Sequence, residues 1–196
     1  MRLYHMSQSL TVGDIPIPDA QECAGLAEPF VQAMEYGTGC FLAMVLNAKY
    51  TYAVLNKYGM REWSNYAKWA TEGVFEYIRR KEYPNALSRM NCVFYYADTS
   101  YSRKLYNEDF SEESDGDREN LRLYEVEVGD ARPDRRDMSL FDDAFDALSE
   151  RQDAKEAAAL ARRYFAGERS DHPVWEYLSD KYAEVVRDVT FVLRDN

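Results

Sequence analysis

The run LRLYEVEV at 121–128 constrains this chain more than any other stretch. Its side chains follow the two-residue period of a half-buried strand, so it must find neighbours in a sheet. The candidates lie far away in sequence. RLYHMS at 2–7 is a short half-apolar run, stopped by the turn signals of VGD and IPIP. NCVFYYAD at 91–98 is β-branched and aromatic between turn residues, which predicts a buried strand. HPVWEYL at 172–178 and AEVVRDVTFVL at 183–193 read as two closing strands.

Helical patterns fill the gaps. From Ala20 to about Leu55 the chain is apolar and alanine-rich, and YGTG at 36–39 divides it into two predicted helices. REWSNYAKWATEGVFEYIRRKEY at 61–83 places Trp63, Tyr66, Trp69, Phe75 and Ile78 on a helical repeat that ends before Pro84. Gly73 is the weak point of that pattern. TSYSRKLY at 99–106 predicts a short helix capped by Thr or Ser, and NEDFSEESDGDREN at 107–120 an acidic loop. GDARPDRRDM at 129–138 reads as polar turn. SLFDDAFDAL and AKEAAALARRYFAG predict two more helices, the second closed by Gly167. The expectation is a single α+β domain over 1–196, with a helical insert at about 20–83 after the first strand.

Charge and residue counts exclude several functions. The 24 Lys and Arg against 35 Asp and Glu give a net charge of −11, which opposes indiscriminate binding to nucleic acid or anionic membrane. A local basic groove is compatible with that balance, and so is an acidic surface that imitates nucleic acid. Two histidines, His5 and His172, cannot build a histidine-rich metal centre, so no metal is expected. Cys23, Cys40 and Cys92 lack the spacing of a zinc site and read as reduced core thiols of a cytoplasmic protein. The longest apolar runs, such as FLAMVL at 41–46, are too short to span a bilayer, so no membrane partner is expected. No phosphate-cradling glycine-rich motif occurs.

Three short patches carry a family resemblance. LYHMS resembles the first strand of the diphtheria-toxin and poly(ADP-ribose)-polymerase branch of the ADP-ribosyltransferases, the His-Tyr-Glu branch. VFYYADTSYSRKLY resembles the strand-to-helix segment of that branch, with ten residues between Tyr95 and Tyr106 and the Ala-Asp pair between them. PVWEYL resembles its late strand with the functional glutamate. The resemblance covers about thirty residues and implies a divergent relative with a split antiparallel β core.

What it implies is a mono-ADP-ribosyltransferase that takes NAD⁺ as substrate and modifies a protein or nucleic-acid target. The natural setting is a bacterial or phage effector, toxin or defence protein. In that reading Glu176 is catalytic, and Tyr95 and Tyr106 stack the nicotinamide. His5 and Ser7 position the dinucleotide, and the Met6 main chain holds the carboxamide. Met6 departs from the glycine the family prefers, and Arg103 stands where the polymerase branch has a serine, from which it could reach a pyrophosphate oxygen.

Alternatives come from other classes: a catalytically inactive acidic binding or inhibitor protein, and an NAD⁺ glycohydrolase. Glu125 and Glu127 form an E-x-E that resembles the arginine-modifying class, with Arg2 the candidate first-strand arginine, but the Ser-Thr-Ser strand of that class is missing. Arg89, in SRMN before the second strand, either approaches the cofactor phosphates or caps the preceding helix and pairs with the acidic loop. Arg162 and Arg163 read as a solvated helix face.

Overall fold

The computed structural model describes residues 1–18, 20–57, 66–108, 120–129 and 132–194. Trp63 and nearly all of the acidic stretch 107–120 lie outside the described residues. The architecture is α+β, and the chain divides into two compact units, Met1–Pro18 with Cys92–Arg135 and Val174–Asn196, and Asp19–Asn91 with Arg136–Pro173.

The first unit holds the sheet except Arg136 and Asp137, at the end of one edge strand. β1 (Arg2–Ser7), β2 (Val93–Tyr96), β3 (Arg122–Val128), β4 (Asp134–Asp137), β5 (Trp175–Ser179) and β6 (Ala183–Asp188) stand in the order β4-β5-β2-β1-β3-β6. β1 pairs antiparallel with β3 along its whole length, from Arg2 with Glu127 to Ser7 with Arg122. β2 pairs antiparallel with β5 over four residues. Between β1 and β2 the ladder is one pair, Tyr4 with Tyr96. That single pair divides the sheet into two halves.

Alternation then sorts the side chains. Leu3, Tyr95, Tyr124, Val126 and Val185 form one apolar cluster, while Leu123, Val189 and Leu193 form another that Tyr4 and Met6 join. β3 is therefore covered on both faces: Leu123, Tyr124, Glu125 and Val126 are all buried in succession. The one-sided burial expected from its pattern holds only at Glu127, which is exposed.

Two short elements differ from expectation. DRRD at 134–137 is a strand, not a turn; its three charged side chains above Asp137 suit a sheet edge. The end of the closing segment, Phe191–Arg194, turns into a helical turn, α7, after Asp188 accepts the Thr190 N–H and stops the ladder. The helix α4 (Thr99–Glu108) follows β2 directly. Its first turn is held by Asp98, whose carboxylate accepts the Ser100 N–H at 2.9 Å, so Asp and not Thr or Ser supplies the cap.

The second unit is helical. α1 (Ala20–Glu35), α2 (Thr38–Lys57), α3 (Tyr66–Glu82), α5 (Ser139–Ser149) and α6 (Ala154–Phe165) enclose one core of Phe30, Phe41, Val74, Phe75, Leu140 and Tyr164. Gly37 separates α1 from α2 with φ +109°, a conformation glycine adopts without strain. Gly73 is where α3 meets α1: a Cβ there would lie 2.5 Å from the Phe30 Cβ. The glycine that weakens the helix pattern is thus required by close packing. Gly167, with φ +75°, ends α6 as expected. Cys40 is exposed, which corrects its reading as a core thiol; Cys92 is buried.

Candidate functional site

The sheet order brings the three sequence-distant patches onto neighbouring strands. His5 lies on β1, Tyr95 on β2 and Glu176 on β5, and these strands are consecutive. With about 4.8 Å between strands, β1 and β5 are separated by about 10 Å. Tyr4, Tyr96 and Glu176 sit directly opposite one another across the three strands. They share a face, and Tyr4 and Tyr106 belong to the same cluster.

Alternation puts His5 and Tyr95 on the other side. Their ring centroids are 5.7 Å apart with planes tilted by 56°. Tyr95 and Tyr106 therefore belong to clusters on opposite sides of the sheet.

Each site residue has a definite setting. His5 Nδ1 lies 2.8 Å from the Phe94 carbonyl oxygen. A carbonyl only accepts, so Nδ1–H donates, and in the neutral ring Nε2 is left as an acceptor. The ring spans from β1 to the β2 main chain where the ladder has ended. Burial depresses the His5 pKa below the usual imidazole value, against the raising effect of the Phe94 bond. That burial favours the neutral imidazole.

Glu176 is 1% exposed. A carboxylate so enclosed is costly and is a mark of a functional or tightly held group. Tyr95 is fully buried, and its hydroxyl has no hydrogen-bond partner among the described residues. Burial, reinforced by nearby Cys92, pushes its pKa up to about 12. Ser102 Oγ, on α4, is likewise buried without a partner. Ser7 Oγ accepts the Ser9 and Leu10 N–H groups at 3.2 and 3.3 Å, so it shapes the turn after β1 and keeps its own proton to donate. Met6 pairs with Leu123 and is half-buried. Arg103 is exposed and its Nε donates to the Val192 carbonyl at 3.1 Å.

Other candidates are accounted for structurally. Arg89 belongs to the second unit, where Glu72 and the Tyr164 hydroxyl accept its hydrogen bonds and the Phe141 ring lies 4.1 Å from its guanidinium carbon. It is 9% exposed and held among these partners. Glu125 is buried between Arg2, at 2.9 Å, and Arg187, whereas Glu127 is exposed. The E-x-E pair therefore splits into one neutralised carboxylate and one solvated one. Arg162 binds Glu82 and Arg163 binds Glu168, an ion-paired surface as expected.

Tyr4 and Tyr96 escaped the sequence reading as site neighbours, because only the register shows that they align with Glu176. Tyr101 stands 5.2 Å from Tyr96 and extends this aromatic row. Among the described residues no group of His, Cys, Asp and Glu could hold a metal ion, and no helix is long and apolar enough to cross a membrane.

Residues 17–191 match the model of a family described as a protein of unknown function, DUF2441, and the chain belongs to that family. The match begins beyond β1, so His5 falls outside it. A comparison with curated proteins gave no match.

Proposed function

From a chain of the DUF2441 family we propose a mono-ADP-ribosyltransferase of the His-Tyr-Glu type that uses NAD⁺ to modify a macromolecule. The observation that supports this reading is that residues 5, 95 and 176 lie on three consecutive strands, with Glu176 on the face of Tyr4 and Tyr96 and His5 and Tyr95 on the other.

The chemistry needs few groups. The bond between nicotinamide and ribose C1′ breaks, nicotinamide leaves with the electron pair, and positive charge develops on the ribose before the target's nucleophile bonds to C1′. A flat cationic ring is attracted to tyrosine faces. Tyr106 stands on the Glu176 face and Tyr95 on the other, so a ring stacked on both would require the β1–β2 junction to open. The Glu176 carboxylate would accept a ribose hydroxyl and stabilise the developing cation, a preorganised electrostatic effect. His5 Nε2 is an acceptor for a ribose hydroxyl of the adenosine half, which is an orienting role. Ser7 is a donor toward the pyrophosphate, the Met6 main chain a partner for the carboxamide, and Arg103 a further cation for the phosphates.

One observation favours a second reading, an inactive acidic binding module. Tyr95 has no exposed surface, so a stacked ring requires it to shift. Calorimetric titration with NAD⁺ separates the two. The transferase predicts saturable binding that Tyr106→Ala weakens at least ten-fold while the fold persists. Absence of any NAD⁺ heat in the folded wild-type protein refutes it, and release of nicotinamide without label on any target would make the protein a glycohydrolase.

A further inference from the structure

The helix α2 has two apolar faces. Phe41, Val45 and Ala48, spaced four and three residues apart, are buried in the helical core. Gly39, Ala43, Leu46 and Tyr50, spaced four, three and four, lie on the opposite side at about 100° per residue, and all four are exposed. Leu46 leaves 48% of its surface in water and Tyr50 leaves 73%, while Tyr36, in the turn before the helix, leaves 83%. At Gly39 an added Cβ would meet nothing within 4 Å, so that end of the stripe is an open seat. A helix on the surface of a lone globule turns a polar face to water; α2 turns an apolar one.

Charge selects the partner. From Tyr36 to Arg61 the sequence holds no Asp or Glu, the longest such run in a chain that has 35 of them, and α2 carries Lys49 and Lys57. Two copies of net charge −11 repel one another, and least where acid is absent. Shape selects the arrangement. Along the stripe two small residues, Gly39 and Ala43, are followed by two large ones, Leu46 and Tyr50. A two-fold axis between positions 43 and 46, with the helices antiparallel, sets 39 opposite 50 and 43 opposite 46. Every large side chain of one copy then lies over a small residue of the other. A parallel pair would set Tyr50 against Tyr50 and leave Gly39 facing Gly39. The antiparallel pair also opposes the two helix dipoles and brings the end that follows the exposed Glu35 against the lysine-bearing half of the other α2. We propose that this stripe is the contact surface of a homodimer, two copies of the chain packed antiparallel through α2. The contact runs along about 16 Å of helix, the small end of specific interfaces, so a micromolar dissociation constant follows. The surface stands whether or not the protein transfers ADP-ribose.

Sedimentation equilibrium of the full chain from about 1 to about 500 μM tests it. The expected result is a reversible monomer–dimer equilibrium. Leu46→Glu sets two carboxylates beside the axis, and Gly39→Leu fills the seat of the other copy's Tyr50; each should raise the dissociation constant about ten-fold or more, and Leu46→Met should leave it unchanged. These positions are exposed, so thermal melts should show all three variants folded, with the Tm of Gly39→Leu no lower than that of the wild type. Cross-linking in a Cys40→Ser background reads the arrangement. Two copies of Ala43→Cys would stand about 4–5 Å apart along the helix axis, within disulfide reach, whereas two copies of Tyr50→Cys would stand about 16 Å apart. Ala43→Cys should therefore form a covalent dimer in air and Tyr50→Cys should not. A monomer at every concentration would leave the stripe to a different partner and overturn the proposal. Wild-type association in both weakening variants, or faster cross-linking of Tyr50→Cys than of Ala43→Cys, would overturn it too.

Discussion

Replacing Gly73 by alanine sets two opposing terms against each other. In a helix interior the change gains about 1 kcal/mol of propensity. The new Cβ, however, would lie 2.5 Å from the Phe30 Cβ and 3.2 Å from the Ala27 carbonyl oxygen. Carbon atoms prefer about 3.5–4.0 Å, so α1 and α3 must separate by about 1 Å. Phe30 is fully buried and its Cβ is fixed to the α1 backbone, so no flexible end can yield. Overpacking of this kind costs roughly 1–3 kcal/mol, with the upper part of the range applying to a backbone shift. The net expectation is a loss of about 1–2 kcal/mol, which lowers Tm by roughly 2–8 °C in a chain this long. Gly25, also in α1, has nothing within 4 Å of its built Cβ, so Gly25→Ala should stabilise by up to about 1 kcal/mol. Calorimetric melts of both variants decide the matter. A higher Tm for Gly73→Ala would show that the two helices are not in this close contact.

Arg89→Met should destabilise by roughly 3–5 kcal/mol in urea unfolding, because it leaves the buried Glu72 carboxylate without its partner. The Glu72→Met, Arg89→Met double variant should recover most of that loss. For His5, the folded pKa is below the unfolded one, so the unfolded chain binds the extra proton more readily. Its contribution to stability is complete above the unfolded value of about 6.5 and is lost as pH falls toward the lowered folded value. An NMR titration should give an imidazole midpoint below 6.5; a midpoint above it would contradict the buried Nδ1–H setting. Asp98 has its carboxylate held below the usual range by the Ser100 side chain and N–H, so Asp98→Ala should reduce stability at pH 7, an effect that fades as pH falls from about 3.8 through the lowered folded value.

Particular residues explain what pattern could and could not reveal. RLYHMS, VFYY and WEYLS were legible because strand formation follows β-branched and aromatic content that neighbouring strands then bury. DRRD was not, since an edge strand pairs through its backbone while its side chains look like those of a turn. LRLYEVEV was legible as a strand but not as one buried on both faces, a property of what covers it. The setting of Arg89 was not legible because its aromatic and carboxylate neighbours come from α3, α5 and α6, and only tertiary packing assembles them. The strands that carry His5, Tyr95 and Glu176 could be picked out by pattern. That β1 and β2 meet at one pair, with the tyrosines on opposite sides, depends on register that no single segment encodes.

The central claim is that the carboxylate of Glu176 serves bond cleavage in a bound dinucleotide. Nicotinamide release from NAD⁺, followed by chromatography in the presence of candidate protein and nucleic-acid acceptors, tests it most directly. Wild-type protein should release nicotinamide, and Glu176→Gln, of the same size and checked for folding by a thermal melt, should release it about a hundred-fold to a thousand-fold more slowly with NAD⁺ affinity retained. Equal rates in the two folded proteins, or no release by either at any acceptor, would contradict it.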